Sequence, residues 1–358
     1  MDLKKLFEET YKGKKVFLTG HTGFKGTWLL SWLNGLGANV KGYALSPEYE
    51  NDLYHFVNGD SLCNSVIADI RNYDKLEQEI LDFEPDFIFH LAAQPLVRKS
   101  YNNPAYTFEV NVNGTINVLQ ALRKIKNHCS VVIVTTDKVY ENSENGKPFI
   151  EEDKLGGYDP YSASKAMAEI AVSSYRDSFF SKDSYNTHKK AIASVRAGNV
   201  IGGGDMSSDR IIPDIIRGIR KNQVIELRKP FSVRPWQFVL EPLSGYLILG
   251  AKLNSDPVRF SSGWNFGPNP GETLSVKEMT EIFIEKFGQG KFEVNVRGND
   301  PHEAGFLMLN IDKAVEKLGW SPKYNVYECI DLTVKGYQQF EKGNKDFINE
   351  QISGYYRF

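Results

Sequence analysis

Three short segments hold residue types that could share one reaction. Tyr161-Ser162-Ala163-Ser164-Lys165 sets a phenol and an ammonium four residues apart, so on a helix they share a face. A cation beside a phenol lowers its pKa from about 10 toward neutrality, which is what a general base for a sugar hydroxyl requires. Thr135-Thr136-Asp137-Lys138 follows an apolar run and adds two hydroxyls, a carboxyl and a second amine. Gly20-His21-Thr22-Gly23-Phe24-Lys25-Gly26 has glycines at its first, fourth and seventh positions. That spacing permits a tight turn, close approach of backbone N–H groups to a pyrophosphate, and a helix whose positive end faces the phosphates. Singly, each segment has a plain structural reading: surface Tyr/Lys spacing, a polar strand exit, a glycine turn without a ligand. Together they describe dinucleotide-dependent oxidation of a carbon that bears a hydroxyl.

Such segments need a scaffold that brings them to one edge. Short β-branched or aromatic runs at residues 15–19, 38–45, 65–68, 86–91, 130–135 and 191–195 alternate with helical patterns at 26–36, 73–83, 106–126 and 161–179. The alternation predicts an α/β fold with a doubly wound parallel sheet of Rossmann type. Several strands are apolar throughout, as helices on both faces require. Ligands gather beyond the carboxyl ends of such strands, where the glycine loop and residues 135–138 fall. Residues 1–195 are expected to form mainly the dinucleotide-binding domain. From residue 196 onward, loops rich in Gly, Pro and Asp (198–209, 228–235, 263–271) separate helices at 211–221, 242–253 and 275–287. This predicts a smaller α/β substrate-binding lobe over residues 196–358, with some chain crossing back.

Supporting residues carry alternatives. Asp69-Ile70 suits an acceptor for an adenine amino group or a turn acid. The second strand ends without an acid at its tip, Glu48 coming late, and without an arginine suited to a 2′-phosphate, so residue chemistry leaves NAD and NADP both open. His90 reads as a structural histidine. Asn111 and Asn113 lie in a helical pattern where asparagine needs a partner. Trp236 fits either base stacking or packing.

Composition excludes several function classes. The chain has 358 residues, 41% hydrophobic and 25% charged, as expected of a folded enzyme with a large core. Its net charge of −2 provides no global field for nucleic acid or an anionic membrane. Cys63, Cys129 and Cys329 are scattered, forming neither a disulfide framework nor zinc-type spacing, and no metal site is expected. No apolar run approaches the roughly 20 residues of a spanning helix, and the N-terminus lacks the apolar region of a signal peptide, so a cytoplasmic location is expected.

The segments 20–26, 90–98, 136–140, 161–165, 196–205, 234–237 and 300–304 carry a resemblance covering about residues 14–337. The chain is similar to the extended short-chain dehydrogenase/reductase superfamily and, within it, to the nucleotide-sugar 4,6-dehydratase group. The His-Thr-Gly-Phe-Lys-Gly wording at 21–26, the Asp137-Lys138 pair and Arg234-Pro235-Trp236-Gln237 are its narrower signals. The resemblance implies a lyase holding NAD tightly and converting CDP-glucose to its 4-keto-6-deoxy product and water, in deoxysugar and lipopolysaccharide precursor synthesis. It implies that Tyr161, assisted by Lys165 and Thr136, takes the proton of the 4-hydroxyl. Asp137 would donate to the departing 6-hydroxyl. Related dTDP-glucose enzymes carry a glutamate where this chain has Lys138, which leaves the C5 proton step two readings: Lys138 as base with its pKa lowered by burial, or Lys138 charged and stabilising the enolate. Cofactor contacts are implied for Gly20, Thr22, Gly23, Phe24, Lys25 and Gly26 of the loop. Further contacts fall on Asp69, Ile70, Leu91, Ala92, Ala93 and Thr135, besides Tyr161 and Lys165. Sugar-nucleotide contacts are implied for Gln94, Asn199, Arg210, Arg234 and His302. A homodimer pairing helices 106–126 and 161–179 is expected. The rivals are a nucleotide-sugar 4-epimerase, a dehydratase of another nucleotide sugar, and a non-catalytic dinucleotide-binding regulator.

Overall fold

The computed structural model describes residues 1–49, 51–142, 146–295 and 307–357. Its main sheet has seven strands: β1 (Lys15–Thr19), β2 (Asn39–Ala44), β3 (Asn64–Ile67), β4 (Phe87–His90), β5 (Cys129–Val134), β6 (Lys190–Ala197) and β7 (Gly263–Phe266). Their spatial order is β7-β6-β5-β4-β1-β2-β3, and every neighbouring pair is parallel. The order reverses between β1 and β4, which opens a crevice at the carboxyl ends of the strands.

Side chains alternate across this sheet, and the alternation builds two cores. Val16 and Leu18 of β1, Phe87 and Phe89 of β4, and Val132 and Val134 of β5 join the larger core on one face. Phe17, Ile88, Val131 and Ile133 join the core on the other. Helices Phe24–Gly35 and Leu240–Ser255 cover the first face; helices Tyr73–Phe83, Gly114–Leu122 and Pro160–Ser178 cover the second. The central strands β4, β5 and β6 are consequently buried at every residue. Helix Pro160–Ser178 begins where it does because Asp159 accepts from Ser162 N at 3.0 Å and Pro160 occupies the first turn.

Two sequence expectations need correction. Residues 263–271 read as loop because the segment opens with glycine and runs into Gly267-Pro268-Asn269-Pro270, yet Gly263–Phe266 is the seventh strand. Its pairing with β6 buries Trp264 and Phe266. The helical pattern at 106–126 is Pro104–Phe108, a π-helical turn at Glu109–Asn113, and Gly114–Leu122. The wider turn buries Asn111, which accepts from Gln94 N at 2.8 Å and donates to Ser164 Oγ at 2.9 Å.

The second half of the chain crosses back through β7 and through helix Leu240–Ser255, which packs on β5 and β6. The helix Phe347–Tyr355 leans on Phe24–Gly35, with Trp28 edge-on to Phe347 and Trp32 edge-on to Tyr355. In the second half, helices Ile211–Arg220 and Val276–Phe287 pack on each other, the first against strand Ile225–Leu227 and the second against Leu274–Ser275 and helix Val326–Glu341.

The glycine loop shows why its spacing matters. Gly20 has φ 75°, and a Cβ there would stand 2.8 Å from Ala92 N. A Cβ on Gly26 would stand 1.9 Å from the carbonyl oxygen of Gly20. Gly26→Ala is therefore expected to lose cofactor binding and about 1–3 kcal/mol of stability through overpacking. Denaturant unfolding and cofactor titration check this; wild-type values in both would contradict the close approach.

Candidate active site

A cleft of about 780 Å³ opens at the carboxyl ends of the strands. The glycine loop contributes Gly20, Thr22, Gly23, Phe24, Lys25 and Gly26 to its lining. The segments after β3 and β4 add Asp69, Ile70, Leu91, Ala92, Ala93 and Gln94, and the segment after β5 adds Thr135, Thr136, Asp137 and Lys138. Helix Pro160–Ser178 presents Tyr161 and Lys165, and the second half of the chain supplies Asn199, Arg210 and Arg234. His302 and Glu303 lie outside the described residues.

At the reacting wall, Thr136 Oγ1 donates to Asp137 Oδ1 at 2.9 Å and lies within hydrogen-bonding reach of the Tyr161 phenol. Asp137 is 3% exposed, and burial lifts its carboxyl above the ordinary carboxylate range against the pull of Lys138. The backbone makes room for it: a Cβ on Gly198 would stand 2.9 Å from Asp137 Oδ2. Lys138 is half-buried beside it.

The expected lowering of the phenol pKa by lysine is not met in this arrangement. Burial pushes Tyr161 up to about 12, and the opposing pulls come from Thr136 and Arg210. Lys165 Nζ instead donates to the Val134 carbonyl at 3.1 Å, and burial brings its pKa down to about 8 with Glu169 opposing. The physical cause is shared: both groups are sealed in one wall, where the neutral form of each is favoured.

Other singled-out residues hold the lining rather than present free groups to it. Gln94 uses its amide on Leu96 O, Leu96 N and Thr107 Oγ1. The Asp69 carboxylate pairs with Arg71 at 2.8 Å. Arg210 reaches Asp205 at 3.3 Å, and Trp236 Nε1 donates to Leu274 O at 3.0 Å. His90 is a buried neutral bridge, Nδ1 to Thr19 Oγ1 at 2.8 Å and Nε2 to Thr115 Oγ1 at 3.2 Å, with its pKa lowered by burial to about 3. The three thiols lie outside the cleft lining: Cys129 and Cys329 are buried, and Cys63 is half-buried with its pKa pushed up to about 11. A dinucleotide fits the donor set. The loop glycines form a cradle that side chains would fill, and Glu48 joins the lining beyond β2, where a carboxylate repels a 2′-phosphate.

Sequence reasoning missed the support behind Lys165. Glu169, one turn further along the helix, accepts from Thr135 Oγ1 and Ser194 Oγ, each at 2.6 Å, and from Arg196 Nη2 at 2.9 Å. Arg196 also donates to Tyr140 Oη at 2.7 Å, and Tyr140 donates to Asn265 Oδ1 at 2.7 Å. An acid four residues after Lys165, on the same helix face, was the signal available. Glu169→Ala leaves the Arg196 guanidinium buried without its carboxylate, at an expected cost of about 3–5 kcal/mol. Denaturant unfolding measures it, and a loss below about 1 kcal/mol would contradict the network's role.

The family model described as GDP-mannose 4,6 dehydratase matches residues 17–333. The CDP-glucose 4,6-dehydratase of Salmonella typhimurium is 44% identical over 347 residues, covering 96% of this chain and 97% of the relative. The UDP-glucose 4-epimerase of Pisum sativum is 26% identical, covering 89% and 94%. Among solved structures, dTDP-glucose 4,6-dehydratase from Bacillus anthracis, in complex with NAD, has the same fold with a TM-score of 0.75 at 22% identity, covering 94% of this chain and all of that one. With a family model spanning most of its length, the chain belongs to the GDP-mannose 4,6 dehydratase family, within the extended short-chain dehydrogenases/reductases.

Proposed function

We propose that the protein is an NAD-dependent nucleotide-sugar 4,6-dehydratase acting on CDP-glucose. The observation that carries this reading is the buried Thr136-Asp137 pair with Lys138 beside Tyr161 and Lys165 in one cleft. An epimerase needs a base at the 4-hydroxyl; the extra acid and amine suit the loss of water from C5 and C6. The CDP preference rests on the relative that is 44% identical over nearly the whole chain.

NAD, when bound, would supply hydride-transfer chemistry between C4 and C6, and its oxidised form would add a positive charge to the cleft. Gly20, Gly23 and Gly26 would hold its pyrophosphate through backbone N–H groups and the helix N-terminus. Tyr161 accepts the 4-hydroxyl proton while Thr136 hydrogen-bonds the same oxygen. Arg210 is the cation of this wall that favours the phenolate, while Lys165 is held on the Val134 carbonyl. Lys138 takes the proton from C5, acidified by the neighbouring ketone, and returns it once C6 is reduced. Burial raises the Asp137 carboxyl pKa and so favours its protonated form, the form that donates to the departing 6-hydroxyl as it leaves as water. Asn199 and Arg234 serve the sugar nucleotide, with Arg210 at the diphosphate. The product is a precursor for deoxysugar synthesis in the cytoplasm.

The homodimer forms through helix Pro160–Ser178, whose outer face exposes Met167 (47%) and Ile170 (56%) opposite the catalytic side chains. Met167→Glu with Ile170→Glu should convert a sedimenting dimer to monomer; a monomeric wild type at micromolar concentration would refute the interface. For the reaction, CDP-, UDP-, GDP- and dTDP-glucose are incubated with NAD, and keto-sugar is followed by its near-ultraviolet absorbance in alkali. CDP-glucose should give the signal, and Tyr161→Phe should lower turnover by about 10²–10⁴-fold with cofactor binding retained. Undiminished turnover in that variant, or NADH accumulating in step with sugar consumed, would overturn the reading.

A further inference from the structure

Lys25 differs from the rest of the glycine loop. The loop's glycines offer backbone groups, whereas Lys25 adds a charged side chain to the cleft lining that interacts electrostatically with Lys165 and Asp137. Its Nζ donates to Tyr246 Oη at 3.3 Å and stands 5.5 Å from the centre of that ring. Tyr246 is fully buried on helix Leu240–Ser255, and Tyr161 acts on it electrostatically. The charged groups around Lys25 come from three other elements: Lys165 on helix Pro160–Ser178, Arg210 ahead of helix Ile211–Arg220, and Asp137 beyond β5. Among the described residues Lys25 makes no ion pair. Burial and the two neighbouring cations bring its pKa down to about 7.

A dinucleotide with its pyrophosphate on residues 20–26 and its reacting ring at Tyr161 must pass this amine, because the amine belongs to the first site and feels the charges of the second. We propose that Lys25 sets the redox balance of the nicotinamide ring in this cleft, its ammonium favouring the reduced, uncharged ring over the oxidised, cationic one. The inference rests on the dinucleotide reading above. Like charges in a water-poor cleft repel strongly, so the bias falls on the oxidised form, while attraction to the phosphates is common to both forms. A reaction that oxidises C4 first and reduces C6 last needs the ring kept reduced while water leaves, and this bias does that. It is present while Lys25 is protonated and fades as pH rises through its titration.

The test is the ratio of dissociation constants for NAD+ and NADH, measured by calorimetric titration of the nucleotide-stripped full chain between pH 6 and pH 9. At pH 6 the ratio should be about tenfold lower in Lys25→Met than in wild type, a separation of the size expected for one nearby charge. Lys25→Arg should match wild type at pH 6 and exceed it at pH 9. Where Lys25→Met fails to fold, the wild type against Lys25→Arg carries the same decision. Equal ratios at every pH would overturn the role of Lys25 and leave the cofactor reading standing. Failure of wild type to bind either form would overturn both.

Discussion

The Glu169 carboxylate is the joint on which the site depends. It ties the helix bearing Tyr161 and Lys165 to Thr135 at the end of β5 and to Ser194 and Arg196 of β6. Through Arg196 and Tyr140 the same chain of bonds reaches Asn265 on β7. Reacting groups from separate parts of the sequence keep a common register because they share this buried partner. A pair sealed from water holds its geometry strongly, since either charge alone would be costly. The edge strand β7 thus takes part in the site although it lines none of it.

Desolvation gives the cleft a consistent electrostatic character. It lifts Asp137 and Tyr161 and lowers Lys165 and Lys25, so each group is drawn toward its uncharged form. Charge arriving with a ligand then has more effect than it would at a wet surface. The groups are also arranged by strand ends and a helix start rather than by loop tips, so their spacing is that of the sheet itself.

Much of this was legible in the sequence, for local reasons. Six strands of the sheet are short apolar runs, and the glycine spacing, the Tyr/Lys step and the polar exit after β5 are each contained within a few residues. What was hidden depends on distance along the chain. β7 looks like a loop until Ser194 to Ala197 pair with it, and Glu169 meets Arg196 across 27 residues. The role of Lys165 shifted for a similar reason: its sequence spacing points to Tyr161, but the carbonyl of Val134 that it grips can be located only in the fold. Asp69, with two readings open, turns out to pair with Arg71 two residues away.

The placement of the cysteines bears on the chemistry. Loss of water from a 4-ketosugar creates a carbon–carbon double bond conjugated with the carbonyl, an electrophile that soft sulfur nucleophiles capture readily. All three thiols sit elsewhere in the molecule, and the half-buried Cys63 is further deterred by its raised pKa. An enzyme of this design can pass a reactive enone through its cleft many times without alkylating itself at sulfur.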